Sequence, residues 1–157
     1  MSMRVQVLEQ ALQALRQAAS RLRATHGDLT AHFPLTSARL NAMSQIDQER
    51  LDALAVRYSR CQDLLAPAMR ALARAQLEPK ADASFLVLHA LMQKQGIVAT
   101  TADWERQRSL RNAVGHEYPD AETIADLLNG IQAEIPAILS MVERLSQIAS
   151  ALIAEHR

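Results

Sequence analysis

From Ile124 to Leu152 the apolar residues fall at alternating steps of four and three: Ile124, Leu128, Ile131, Ile135, Ile138, Val142, Leu145, Ala149 and Leu152. That spacing draws a single stripe down one side of a helix. Two earlier segments repeat it. Val5, Leu8, Leu12, Leu15, Ala19 and Leu22 mark a helix over residues 3–24. Leu51, Leu54, Tyr58, Cys61, Leu65, Ala68 and Leu72 mark another over 47–76. Three long stripes of heptad-like spacing pack at small crossing angles, as in a bundle. The last helix is on the order of 50 Å long at about 1.5 Å per residue. Its stripe outruns the shorter segments, which predicts a second molecule lying against it. The expected fold is all-α: an up-and-down four-helix-bundle type with an extra short helix, one domain over residues 1–157.

Local signals divide the rest. Residues 25–46 lose the period at His26-Gly27-Asp28 and Phe33-Pro34 and read as a connector, with a short helix near 36–43. Asp47 is the expected N-cap of the second long helix, and Pro67 is expected to kink it near 63–67. A shorter helix over 82–95 turns Phe85, Leu86, Leu88, Leu91 and Met92 inward and ends at Gly96. Thr100 or Thr101 caps a helix running to Val114, and Asp120 opens the last one, which is expected to bend at Pro136.

Charge narrows the partners. Seventeen basic and seventeen acidic side chains cancel, so whole-molecule electrostatics attracts neither DNA nor a membrane. Any RNA contact must come from a local cluster. Only Lys80 and Lys94 are lysines; the other cations are arginines, whose planar forks suit phosphate. Cys61 stands alone, which excludes an internal disulfide and a four-cysteine zinc site. His26, His32, His89 and His156 lack ligand spacing, and there is no Gly-rich phosphate loop or nucleophile elbow. No metal and no cofactor is expected. No signal-peptide pattern precedes the first helix, and no apolar run is read as reaching transmembrane length, so a cytoplasmic chain is expected.

The segment Arg111-Asn112-Ala113-Val114-Gly115-His116-Glu117-Tyr118 gathers phosphate- and proton-handling groups at a seam between two helices. On one unbroken helix, residues five apart diverge by about 140°. Gly115 is expected to adopt the left-handed conformation, end the helix and let His116 fold back toward Arg111. An imidazole exchanges protons near neutral pH. It can take one from a 2′-hydroxyl or give one to a leaving 5′-oxygen. A guanidinium can clamp phosphate and stabilise transition-state charge. Asn112 can orient either group, and Tyr118 adds a phenol. By residue type alone, a histidine past a helix end is more commonly solvated or capping, and such a tyrosine more commonly packs.

The Arg-x4-His-x-Tyr spacing, with a polar residue after the Arg, resembles the signature of HEPN-domain proteins, and the tyrosine is similar to that of the HepT-like ribonuclease toxins. Chain size, helix order and the position of the motif between the last two main helices agree with that likeness. The resemblance implies a homodimer whose two motifs form one composite site. It implies a metal-independent endoribonuclease toxin with Arg111 and His116 catalytic, and Asn112 and Tyr118 supporting. It further implies a minimal nucleotidyltransferase antitoxin as partner, transferring AMP to Tyr118. Some HEPN proteins beside nucleotidyltransferases have instead been regarded as non-catalytic substrate-binding subunits, and that alternative stays open, as does a purely structural helical adaptor.

Arg106 and Arg108 are further RNA-binding candidates, reading as a basic patch continuous with Arg111 or, equally, as a solvated face with Glu105 nearby. Trp104 is expected to anchor its helix, with stacking on a base as the lesser reading. Arg57 and Arg60 can flank the site, and Tyr58 lies on the apolar stripe and reads as core.

Overall fold

The computed structural model of the chain describes residues 1–157. Its helices are α1 (Met3–Leu29), α2 (Ser37–Ala42), α3 (Gln45–Ala75), α4 (Phe85–Lys94), α5 (Thr101–Ala113) and α6 (Ala121–Glu155), with one 3₁₀ turn at Thr30–His32. The long helices start on side-chain caps that satisfy otherwise orphaned N–H groups. Ser2 accepts from the Val5 N–H, Ser44 from Asp47 and Asp120 from Thr123. Thr100 and Asp103 form a reciprocal capping box. Asp47 is therefore not the cap of α3. Ser44, three residues earlier, takes that place, and Asp47 supplies the N–H it accepts.

Contacts between helices set their directions. Arg157 pairs with Glu9 and Arg16 with Ser150, so α6 runs antiparallel to α1. Arg57 reaches Thr25 while Asp47 meets His32, so α3 is antiparallel to α1. Arg106 pairs with Glu134 and Leu110 lies over Gly130, so α5 is antiparallel to α6. Helices α1, α3, α5 and α6 thus form an up-and-down four-helix bundle, as the periodicity predicts. Helix α4 packs on α3. One continuous core of 35 buried residues includes every stripe position on α1 and α3, and all of the α6 stripe except the half-buried Ile124 and Leu152.

The apolar stripe of α6 is consequently covered within one chain. Helices α1 and α3, at 27 and 31 residues, are long enough to do it, and the expected surplus for a second molecule does not exist. Helix α6 also corrects the expectation about apolar runs. By length and mean hydropathy (1.4 over 18 residues) it suffices to cross a membrane; its Leu, Ile, Val and Met side chains here pack in or against the bundle core. Helix α1 continues past residue 24 through Gly27 to Leu29. The connector after it is pinned: the Asn129 amide on α6 accepts from the Leu35 N–H at 2.7 Å and donates to its carbonyl at 2.9 Å. Leu86, expected inside, is 65% exposed.

Two residues past the end of α3, Leu77 has φ of 58°, the one non-glycine residue in the left-handed region. The Glu78 N–H then bonds back to the Ala73 carbonyl at 3.0 Å, a terminal pattern that favours glycine. A side chain costs about 1–2 kcal/mol there, and the exposed Leu77 recovers little by burial. Leu77→Gly is expected to stabilise the fold by about 0.5–1 kcal/mol after the entropic cost of glycine, read as a higher Tm in thermal unfolding. An unchanged or lower Tm would refute the strain.

Candidate functional site

Helix α5 carries Arg108 and Arg111 one turn apart, and both reach across to Asp63 on α3. Arg111 donates from Nε and Nη2 to the two carboxylate oxygens, each at 2.7 Å. This is the bidentate geometry in which Arg–carboxylate pairs are strongest. Arg108 Nη1 donates to Asp63 Oδ1 at 2.7 Å and to Gln62 Oε1 at 2.8 Å. The backbone beneath is unusual. Pro67, four residues on, has no N–H to offer the Asp63 carbonyl, although α3 runs continuously through it.

Tyr58 sets how α5 meets α3. It is fully buried, as its place on the stripe predicts, and its phenol donates to the Gln107 carbonyl at 2.9 Å. Burial pushes its pKa far up, with Glu134 adding to the rise, so it remains a donor. Such a bond contributes about 1 kcal/mol net.

The arginines act on Asp63 in turn. The hydrogen-bonded Arg111 guanidinium, then Arg108, hold its carboxyl below the ordinary 3.8, against the opposing effect of burial. Arg111 is shifted up by the same bond. The folded pKa of Asp63 lies below the unfolded one, so the pair contributes stability above the ordinary value and loses it as pH falls through the folded value. The site is partly exposed, so screening keeps the effect below about 1 kcal/mol. Urea unfolding between about pH 5 and 2 is expected to show a shallower acid slope for Asp63→Asn than for the wild type; equal slopes would refute the linkage.

Past Ala113 the chain turns through residues 114–120. The His116 N–H donates to the Ala113 carbonyl at 3.1 Å, and the Tyr118 phenol donates to the same oxygen at 3.2 Å. The His116 and Tyr118 rings lie nearly parallel, at 16° with centroids 6.3 Å apart. His116 and Asn112 are exposed, and Tyr118 is half-buried. The turn does not use the backbone expected of it. Gly96 has φ of 74° as a helix terminator should, but Gly115 is not in the left-handed region. A Cβ at Gly115 would meet only the Asn112 carbonyl oxygen at 3.8 Å. The helix ends instead through successive i→i+3 bonds, Val114 to Arg111 and His116 to Ala113. No hydrogen bond joins Arg111 to His116 within the chain.

Two clefts open on Arg111. One of about 520 Å³ is bounded by Gln62, Asp63, Phe85, Trp104 and Arg108; the other, of about 390 Å³, by Arg60, Asp63, Val114 and Gly115. Arg60 is exposed and has no ion-pair partner. The local cluster is therefore three arginines, 60, 108 and 111, around one carboxylate. Arg106 is not part of it. Five residues from Arg111 on the same helix, it faces α6 and pairs with Glu134 and, at 2.6 Å, with Asp103. Arg57 also turns away, to Thr25 of α1. Trp104 anchors α5 by stacking on Phe85, with centroids 5.0 Å apart.

Asp63 and Gln62 are the site residues that the sequence reading did not find. Both lie off the apolar stripe among other polar residues, and only the register of α3 against α5 marks them out. No family model matches the chain, and no curated protein or solved structure does either.

Proposed function

We propose that the chain is a HEPN-type, metal-independent endoribonuclease that acts in the cytoplasm as the toxin of a pair with a minimal nucleotidyltransferase. The observation that carries this reading is the hold on Arg111. Asp63 engages Nε and one Nη2 proton and leaves Nη1, in a fixed fork, for a phosphate at the mouth of both clefts. Orientation of this kind is the main thing a phosphate clamp supplies to a transition state. Arg60 and Arg108 add the local charge that the neutral whole lacks. The exposed His116 supplies the proton-transfer group, with Asn112 and Tyr118 beside it.

The reaction needs no co-reactant beyond RNA. His116 removes the 2′-hydroxyl proton, the 2′-oxygen bonds to phosphorus, and the P–O5′ bond breaks. The 5′-oxygen leaves with a proton delivered by an imidazolium, and a 2′,3′-cyclic phosphate remains. Within one chain the His116 ring stacks beside Tyr118, but no hydrogen bond fixes its nitrogens. A two-fold dimer placing two 111–118 turns face to face provides the second imidazole and the missing contacts. Val56, 62% exposed beside the Arg111 cleft, gives that face an apolar contact.

Purified chain is expected to cleave single-stranded RNA in excess EDTA, to leave 2′,3′-cyclic phosphate ends, and to scatter light as a dimer at micromolar concentration. Loss of activity in chelator with recovery on adding a divalent ion would overturn the mechanism, and a monomer would overturn the composite site. The non-catalytic substrate-binding subunit is the second reading, favoured by the missing hydrogen-bond partner for the His116 ring nitrogens. It predicts co-purification with a nucleotidyltransferase and no cleavage by the dimer.

A further inference from the structure

The larger cleft runs from Arg111 and Arg108 to an aromatic wall. Phe85 on α4 and Trp104 on α5 are both half-buried and stack at 30°. Gln62 on α3 lines the same cleft and is 1% exposed. Its Oε1 accepts from Arg108, and a guanidinium only donates, so this contact fixes which end of the amide is which. The other end, Nε2, has no partner. A buried donor left unmade costs free energy that an acceptor on a bound molecule would recover.

We propose that this cleft receives one unpaired nucleobase of RNA, next to the phosphate held by Arg111; the proposal rests on the ribonuclease reading above. Each wall suits one part of a nucleotide. The Phe85–Trp104 pair offers a π surface, and every base has a face to stack on it. Gln62 lines the cleft with its unpartnered Nε2 just beneath the surface, and a small rotation of the side chain would bring that donor to the acceptor atoms that every base carries on its edge. Arg108 stands between the rings and Arg111, where the backbone connecting base and phosphate would pass. The cleft volume of about 520 Å³ is within the range of small-ligand sites. A base stacked in a duplex cannot enter, so the site selects single-stranded RNA and places its backbone at Arg111.

Trp104 is the only tryptophan in the chain, so the fluorescence comes from one side chain, which lines this cleft; the Phe85→Leu comparison ties a change to this wall. The probe is a short single-stranded oligoribonucleotide with 2′-O-methyl groups, which lacks the nucleophile and cannot be cut. Inorganic polyphosphate is the control that offers phosphates without bases. The oligonucleotide is expected to quench Trp104 saturably, and polyphosphate to bind without quenching. Phe85→Leu keeps apolar volume but removes the ring; it is expected to weaken oligonucleotide binding about 5- to 100-fold and to leave polyphosphate binding unchanged. Oligonucleotide binding without a change at Trp104, or equal weakening of both probes by Phe85→Leu, would overturn the base site. Quenching by a chain that never cleaves unmodified RNA would sink the catalytic reading alone. Cleavage with Trp104 silent would sink the base site alone.

Discussion

His116→Ala and Arg111→Ala are each expected to lower RNA cleavage by about 10²- to 10⁴-fold, with helical circular dichroism unchanged. In the proposed mechanism the His116 imidazole transfers the proton, and the 114–120 turn carries no second histidine to replace it. In the same proposed mechanism Arg111 supplies oriented positive charge where the phosphate gains negative charge, and Lys at this position would not restore it, because an ammonium cannot form the side-on fork with Asp63. Neither residue belongs to the buried core, and Asp63 keeps Arg108 when Arg111 is lost. The fold should therefore survive both changes. Initial rates on a single-stranded RNA measure the effect. Full activity in either variant would remove that residue from the mechanism.

If the proposed pairing holds, coexpression with a cognate minimal nucleotidyltransferase is expected to produce chain heavier by one or more AMP groups, with Tyr118 the modified residue and RNase activity lost. The phenol oxygen would attack the α-phosphorus of ATP, pyrophosphate would leave, and the phenol proton would pass to a base. Two consequences follow from the geometry. The modified oxygen no longer has a proton to donate to the Ala113 carbonyl, so the turn loses a bond contributing about 1 kcal/mol. The adduct also sits beside the His116 ring, which lies parallel to that of Tyr118. Its phosphate can pair with the arginine cluster and block RNA by both charge and bulk. Tyr118→Phe should remain toxic yet escape neutralisation. Intact mass spectra without added AMP, from a coexpression that still removes toxicity, would mean that the partner inhibits by binding alone.

The site was legible only in part. The 111–118 segment is local chemistry, visible as spacing in the chain, and Arg60 could be suspected as a flank. The same reasoning that separates residues five apart applies to Arg106 and Arg111, so the departure of Arg106 from the patch was implicit in helix geometry. The hold of Asp63 on Arg111 was not, because it joins residues 48 positions apart.

Periodicity and local signals along the chain determined the long helices, the buried stripes, Tyr58 as core, Gly96 as terminator and Asp120 as a cap, and narrowed the cap of α5 to Thr100 or Thr101. Each of these depends on neighbours within about a turn or two, where backbone geometry is regular. Competing local signals were settled by the folded chain: Ser44 over Asp47 as cap, and a plain turn in place of a left-handed Gly115. Tertiary structure alone decided which polar side chains meet. That depends on how far each helix is rotated and slid against its neighbour, and many buried contacts set those two quantities jointly. The rotation that buries Tyr58 under Gln107 is the one that turns Asp63 toward Arg108 and Arg111 and sends Arg106 to Glu134.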